Sequence, residues 1–280
     1  MQRAIAQGYP ENLLLPLGTC SWHEDDMPLE RRGVDGGFVW QLVHEVQEQR
    51  NRAIENALSQ QRASMYLDNV PWPEWPGNME GELTARRFVT VHLFGWTAPL
   101  RVPLYARVPA ESRGPPKTFV SYTWDAGLLA HGYGVIQAIE PYLKDGECVW
   151  IDTFCHNQHN IGSVVPQMER VIADIDRLIL PMSEPPWYQR SWCIWEVLCA
   201  LRANKDIVLV EYAKKARDMY QIRDFYLGGF ESIAKSETSV AEDKALILQS
   251  ASTMFGSIAA ADEYLRTMMS KVIGSHRGGR

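Results

Sequence analysis

Short apolar runs that alternate with helical stretches limit what the second part of this chain can fold into. Thr118 to Tyr122, Cys148 to Asp152 (CVWID), Arg177 to Pro181 (RLILP) and Asp206 to Tyr212 (DIVLVEY) each suit one buried strand. Between them, Leu128 to Leu143, Val164 to Ile175 and the segment RSWCIWEVLCALRA at 190 to 203 carry apolar residues at helical spacing. Strands that are apolar throughout need cover on both faces, so alternation with helices of roughly three to four turns predicts a doubly wound, mostly parallel α/β sheet. A fifth strand is expected around Phe230 to Ile233, then amphipathic helices from Ala241 to Thr253 and from Ala260 to Val272.

Upstream the pattern is different. No lysine occurs before Lys117, and the shift coincides with a breaker-rich stretch, Pro109-Ala-Glu-Ser-Arg-Gly-Pro-Pro116. A chain of 280 residues, 46% hydrophobic, has room for one large or two small domains. A boundary is therefore expected near residue 114, with 1–114 a smaller α+β region of unassigned role and 115–280 the α/β unit. Within the first region Phe38 to Ser64 has helical periodicity, PWPEWPG reads as loop, and residues 87 to 108 alternate like strands, with Phe88 to Leu93 (FVTVHL) the best candidate.

Several function classes drop out. The net charge is −6 and no Lys/Arg run accompanies an aromatic ladder, so neither nucleic acid nor an anionic membrane is expected as partner. Apolar runs such as Leu13 to Leu17 are too short to span a membrane, and the first residues lack the order of a signal peptide. Five cysteines without a spacing framework suggest reduced thiols, and a cytoplasmic location is expected. There is no Gly-x-Ser-x-Gly elbow or Walker lysine loop, and His131-Gly-Tyr-Gly134 is too short for a dinucleotide fingerprint. Cys155-His156-x-x-His159 offers metal-ligand types but no second pair nearby, so no metal is expected.

In an open parallel sheet, ligands bind beyond the carboxyl ends of the strands where strand order reverses. The residues leaving the first three strands there are Ser121-Tyr-Thr-Trp-Asp125, Asp152-Thr-Phe-Cys-His-Asn-Gln-His159 and Ser183-Glu-Pro-Pro-Trp-Tyr-Gln-Arg190. With the first strand between the second and third, the first and third loops flank the switch point. Glu196 rises from the helix that follows. Ile194, Val197, Leu198 and Leu201 make that helix's buried stripe, with Trp192, Glu196 and Cys199 on a neighbouring face. A carboxylate at a core edge is costly to desolvate, so Glu196 is either a structural partner or a site residue. Trp192, Cys193 and Trp195 read as core filling or ligand contacts, Asp152 as a loop cap or functional group, and Tyr122 and Thr123 as turn closers or site residues.

These residues also carry a resemblance. FVSYTWD, VWIDTFCHNQHN, and WYQRSWCIWEV followed by KDIVLVEY resemble the Toll/interleukin receptor (TIR) domain, while WIDTFCHNQ and the Trp-Tyr-x-Arg-x-Trp block also resemble the fungal heterokaryon incompatibility domain. Ala234 to Leu248, with Glu242-Asp-Lys244, is similar to the tail of TIR-like proteins of protists and oomycetes. The resemblance covers about residues 117 to 273. It implies a flavodoxin-like fold and, in many members, cleavage of NAD between nicotinamide and ribose, with NAD as substrate and no cofactor. The family's catalytic glutamate falls on Glu196, and Tyr122, Thr123, Trp124, Asp152, Arg190 and Trp192 are expected to meet the nucleotide. Self-association that builds a composite pocket is expected as well; in the alternative, non-catalytic reading the 153 to 160 and 183 to 190 loops form assembly surfaces and Glu196 is structural. Two departures stand out: Trp124-Asp125 replaces the basic residue or glycine of many relatives, and Trp195 would narrow the pocket if it pointed inward. A non-catalytic TIR-type interaction module and a nucleoside N-glycosidase of related fold remain as alternative readings.

Overall fold

The apolar runs pair into one sheet. The computed structural model describes residues 27–65, 83–97, 100–129, 134–159, 164–181, 185–210 and 229–278. The tryptophan and proline cluster at 71–77, most of the 131–134 glycine pattern and the end of DIVLVEY lie outside them. In chain order the strands are β1 (Gly33–Asp35), β2 (Leu83–Thr84), β3 (Arg113–Gly114), β4 (Thr118–Val120), β5 (Gly127–Leu129), β6 (Cys148–Trp150), β7 (Arg177–Pro181) and β8 (Asp206–Val210). The helices are α1 (Gly36–Met65), α2 (Ala85–Arg87), α3 (Phe94–Thr97), α4 (Val135–Ile139), α5 (Asp152–Cys155), α6 (Val165–Asp174), α7 (Ser191–Arg202), α8 (Ala241–Phe255) and α9 (Ile258–Gly278).

The fold is α/β, with a six-stranded, mostly parallel sheet in the order β3-β1-β6-β4-β7-β8. Strands β6, β4, β7 and β8 are parallel, and β1 is antiparallel to both β3 and β6. The first parallel strand, β4, thus lies between β6 and β7, the flavodoxin-like arrangement expected from sequence. The chain moves one way from β4 to β6 and the other way from β6 to β7. Right-handed crossovers then put α4 on one face and α6 and α7 on the other. Accordingly α1 packs on α4, while α6, α7 and α8 pack against one another. Leu178, Ile179 and Leu180 of β7 are all fully buried, which is why this strand reads as a continuous apolar run instead of an alternating one. Phe119 and Trp150 face each other across β4 and β6 with ring centroids 4.6 Å apart and planes 9° from parallel.

Three expectations are corrected. Phe88 to Leu93 is not a strand but a π-helical turn between α2 and α3. Thr84 caps the start of this helical run by accepting from the Arg87 backbone N–H at 3.2 Å, and a short apolar run cannot by itself separate period 2 from period 3.6. Leu128 and Leu129, expected as the start of a helix, belong instead to β5, which pairs with β2, and the helix begins only at Val135. Phe230 to Ile233 forms no strand: Ile233–Lys235 is a single 3-10 turn, and the Phe230 ring lies under the Arg266 guanidinium at 5.2 Å.

Position 114 is not a break between independent units either. β1 and β3, both from the region before it, join the main sheet, with Val34 paired to Val149 and Asp35 to Cys148. Phe38, Val39, Leu42, Val43 and Val46 of α1 enter the same hydrophobic cluster as Phe119 and Trp150. Phe88 stacks on Phe154 at 5.6 Å. Gly33 shows how tight the junction is, since a Cβ there would lie 2.5 Å from the Gly114 carbonyl oxygen and 2.7 Å from the Pro116 nitrogen, all backbone. Gly33→Ala is expected to lower stability by about 1–3 kcal/mol through this overpacking, read as a fall in the thermal unfolding midpoint.

Candidate functional site

Because β4, β6 and β7 run parallel, the loops leaving their carboxyl ends meet along one edge of the sheet at the switch point. A cleft of about 340 Å³ lies there, within the size range of small-molecule sites. Tyr122, Thr123 and Trp124 enter it from the loop after β4, and Asp152, His156 and Gln158 from the segment after β6. Arg190, Trp192, Cys193 and Glu196 come from α7 and the residue before it. The seven residues expected at the site (Glu196, Tyr122, Thr123, Trp124, Asp152, Arg190 and Trp192) therefore line a single cleft.

Glu196 sits in the second turn of α7 and is only 8% exposed. Ser121 Oγ donates to its Oε2 at 2.6 Å, and no cation pairs with it among the described residues. Burial dominates its titration, pushing the carboxyl up to about 8; the Ser121 hydrogen bond opposes this and the Asp152 charge adds to it. Near neutral pH the side chain is thus mostly a neutral acid. A cation brought beside it would favour its ionised form.

Asp152 opens α5 and organises the aromatic wall. Its carboxylate accepts from the Trp124 indole N–H, from Tyr122 Oη at 3.0 Å and from the Thr153 backbone N–H at 2.7 Å. Burial raises its pKa, and these donors hold the rise back. The Tyr122 phenol is pushed well up by burial and then by Asp152, so it remains a donor throughout the physiological range. Trp192 Nε1 donates to Asp243 Oδ2 at 3.2 Å, and Arg190 donates to Ser239 Oγ at 3.2 Å with Glu237 at 3.9 Å. Thr123 Oγ1 donates to the Pro185 carbonyl at 3.3 Å, tying the first loop to the third. Trp195 does not narrow the cleft: it is buried elsewhere, its indole N–H 3.4 Å from the Val165 carbonyl.

The Cys155-His156-x-x-His159 residues diverge. Cys155 is buried with its Sγ 3.9 Å from the Val149 carbonyl, His156 lines the cleft, and His159 Nε2 lies 2.6 Å from Thr97 Oγ1. Burial lowers the His156 pKa to about 4, leaving a neutral imidazole. Among the described residues no group of three or more His, Cys, Asp or Glu side chains is arranged to hold a metal ion. Cys193, beside Glu196, is an inert thiol whose pKa burial raises well above the ordinary value.

Sequence reasoning missed the other half of the lining. Arg86, Val89, Thr90 and Phe94 form one wall, and Ser239, Val240 and Asp243 close another at the start of α8. The capping pattern at Thr84 was a usable signal for the helical wall, but nothing in a single sequence links Arg86 to Asp125, 39 positions away. Comparison with family models, with curated proteins and with solved structures returned no match. Among the described residues no helix is long and apolar enough to cross a membrane.

Proposed function

We propose that the chain is a TIR-like enzyme that consumes NAD, breaking the bond between nicotinamide and ribose. The observation that carries this reading is Glu196: a buried carboxyl with a hydroxyl but no cation for partner, facing an aromatic-lined cleft at the switch point of the sheet. The pyridinium of NAD+ supplies the missing positive charge. As it enters, Glu196 releases its proton to solvent water and the carboxylate faces C1′ of the ribose. The C1′–N bond then breaks with its electron pair going to the nicotinamide nitrogen, so the leaving group departs neutral and needs no general acid. The carboxylate stabilises the oxocarbenium-like ribose that remains. Water attack gives ADP-ribose, and attack by the substrate's own adenine gives a cyclic ADP-ribose. Trp124 and Trp192 stack on the rings, with Tyr122 and Thr123 shaping the first loop, Asp152 fixing Trp124, and Arg190 at the pyrophosphate. NAD is substrate, not cofactor, and no metal takes part. Self-association through the loops beyond β6 and β7 and a role in cytoplasmic defence or cell-death signalling complete the proposal.

A non-catalytic TIR-type interaction module is the second reading, favoured by the Ser121 bond that gives Glu196 a structural partner. Chromatographic measurement of nicotinamide release from NAD+ at high protein concentration separates the two. The enzyme reading expects release by the wild type and little by Glu196→Ala, whereas negligible signal from both supports the module. Base release from free nucleosides, with NAD+ untouched, would instead favour a nucleoside N-glycosidase.

A further inference from the structure

Residues 85–97 lie outside the stretch that resembles the TIR domain, yet one face of this helical run forms a wall of the cleft. Arg86, Val89, Thr90 and Phe94 share that face, with the guanidinium at one end and the phenyl ring at the other. The run is fastened to the first loop. β2 pairs with β5, the Arg86 backbone N–H donates to the Trp124 carbonyl at 3.1 Å, and Arg86 Nε donates to Asp125 Oδ1 at 2.9 Å. Arg86 Nη2 reaches Asp125 Oδ2 at 3.5 Å, while Nη1 has no protein partner among the described residues. Arg190 enters the same cleft from the start of α7, and both guanidinium groups act on Asp125, whose carboxyl they hold below its ordinary range. Two arginines, Arg86 and Arg190, thus line one cleft whose remaining walls are largely aromatic and aliphatic, and Arg86 is paired with the exposed carboxylate of Asp125 at its edge.

We propose that Arg86 determines substrate specificity: with Arg190 it grips a phosphate of the substrate, so the cleft selects phosphate-bearing nucleotides over nucleosides that share the same glycosidic bond. The inference rests on the NAD-cleaving reading and extends it to a residue from the region before position 114. Asp125 holds the guanidinium fork through Nε and Nη2. The incoming phosphate takes the unpartnered Nη1 and competes for the remaining donors, as fork-shaped recognition of a phosphate requires. The Arg86–Asp125 pair is exposed on both sides, so losing it costs little stability and the variants should fold.

The test compares nicotinamide release from NAD+ and from nicotinamide riboside by the full chain, by Arg86→Gln and by Asp125→Asn. The ratio of kcat/KM for NAD+ over nicotinamide riboside should fall about 10–100-fold in Arg86→Gln and hold or rise in Asp125→Asn, because only the first removes a phosphate contact. An unchanged ratio in Arg86→Gln, or the same fall in both variants, would overturn the proposal by reducing Arg86 to half of a structural ion pair. Titration with ADP-ribose, followed by the fluorescence of Trp124 and Trp192, decides the matter without catalysis. If the wild type cleaves neither compound, the NAD-cleaving reading fails by itself. Arg86 is then upheld by ADP-ribose binding that weakens about 10–100-fold in Arg86→Gln, and refuted by equal affinity or no binding.

Discussion

Glu196→Gln is expected to be more thermostable than the wild type by about 10–20 °C near pH 9, and no different near pH 4.5. The folded protein holds the Glu196 carboxyl at about 8, against about 4.5 for the group in an unfolded chain. A carboxyl whose pKa rises on folding contributes stability that is fully present below the unfolded value. That stability is lost as pH climbs toward the folded value, because the unfolded chain ionises first. The loss is about 1.4 kcal/mol for each pH unit across this window, so about 5 kcal/mol in total, and it is constant above the folded pKa. Glutamine has nearly the shape of the neutral acid and keeps an oxygen to accept from Ser121, but it cannot ionise. The wild type therefore falls away from the variant between about pH 4.5 and pH 8, as differential scanning calorimetry across that range would register. At this size each kcal/mol corresponds to roughly 2–4 °C. The same substitution should lower nicotinamide release by about 10²–10³-fold, the usual cost of removing one preorganised electrostatic partner of a transition state. Gain of stability with loss of activity is the mark of a strained functional group.

A fragment beginning at residue 115 should not fold at all. Cutting there removes the two antiparallel strands β1 and β3 and leaves the edge of β6 that faced β1 unpaired, while its β4 edge stays paired. It also strips Phe38, Val39, Leu42, Val43, Val46, Phe88 and Leu93 from the shared core, uncovering Phe154 and Trp150. Burying one such side chain is worth about 1.5–3 kcal/mol. Seven of them exceed the roughly 5–15 kcal/mol that holds a typical domain together. Expressed alone, the fragment is expected to aggregate and to show no cooperative thermal transition by circular dichroism. A soluble fragment with a sharp transition would mean that the first region is an appendage.

The legible parts of this fold are those where burial leaves a long, unambiguous pattern. β7 was readable to the residue because both faces of Arg177–Pro181 are covered, and α7 because its apolar stripe runs through three turns. The parallel sheet followed from the alternation of strands with helices, whereas the strand order was what the family resemblance implied. β1, β2, β3 and β5 escaped because their two or three residues lie in no longer apolar run, whereas the equally short β4 and β6 sit within Thr118 to Tyr122 and Cys148 to Asp152. Phe88 to Leu93 misled because its apolar residues fit either period, and the decision belonged to the Thr84 cap upstream. For the site, sequence identified residues but not their company. That Glu196 lies at a core edge follows from helix geometry, yet its bond to Ser121 spans 75 positions and its raised pKa depends on burial supplied by several elements. The wall from Arg86 to Phe94 was invisible for the same reason: it comes from a region assigned to a separate unit.

The pH dependence of kcat/KM for nicotinamide release tests the proposed NAD+ cleavage most directly, because it asks whether such release depends on ionisation of the buried acid itself. With an ionised Glu196 required in free enzyme, the value should rise about tenfold per pH unit and level off near pH 8, and Glu196→Gln should show neither the rise nor the rate. A wild type that releases no nicotinamide at any pH, or a Glu196→Gln variant that matches it, would contradict the assignment.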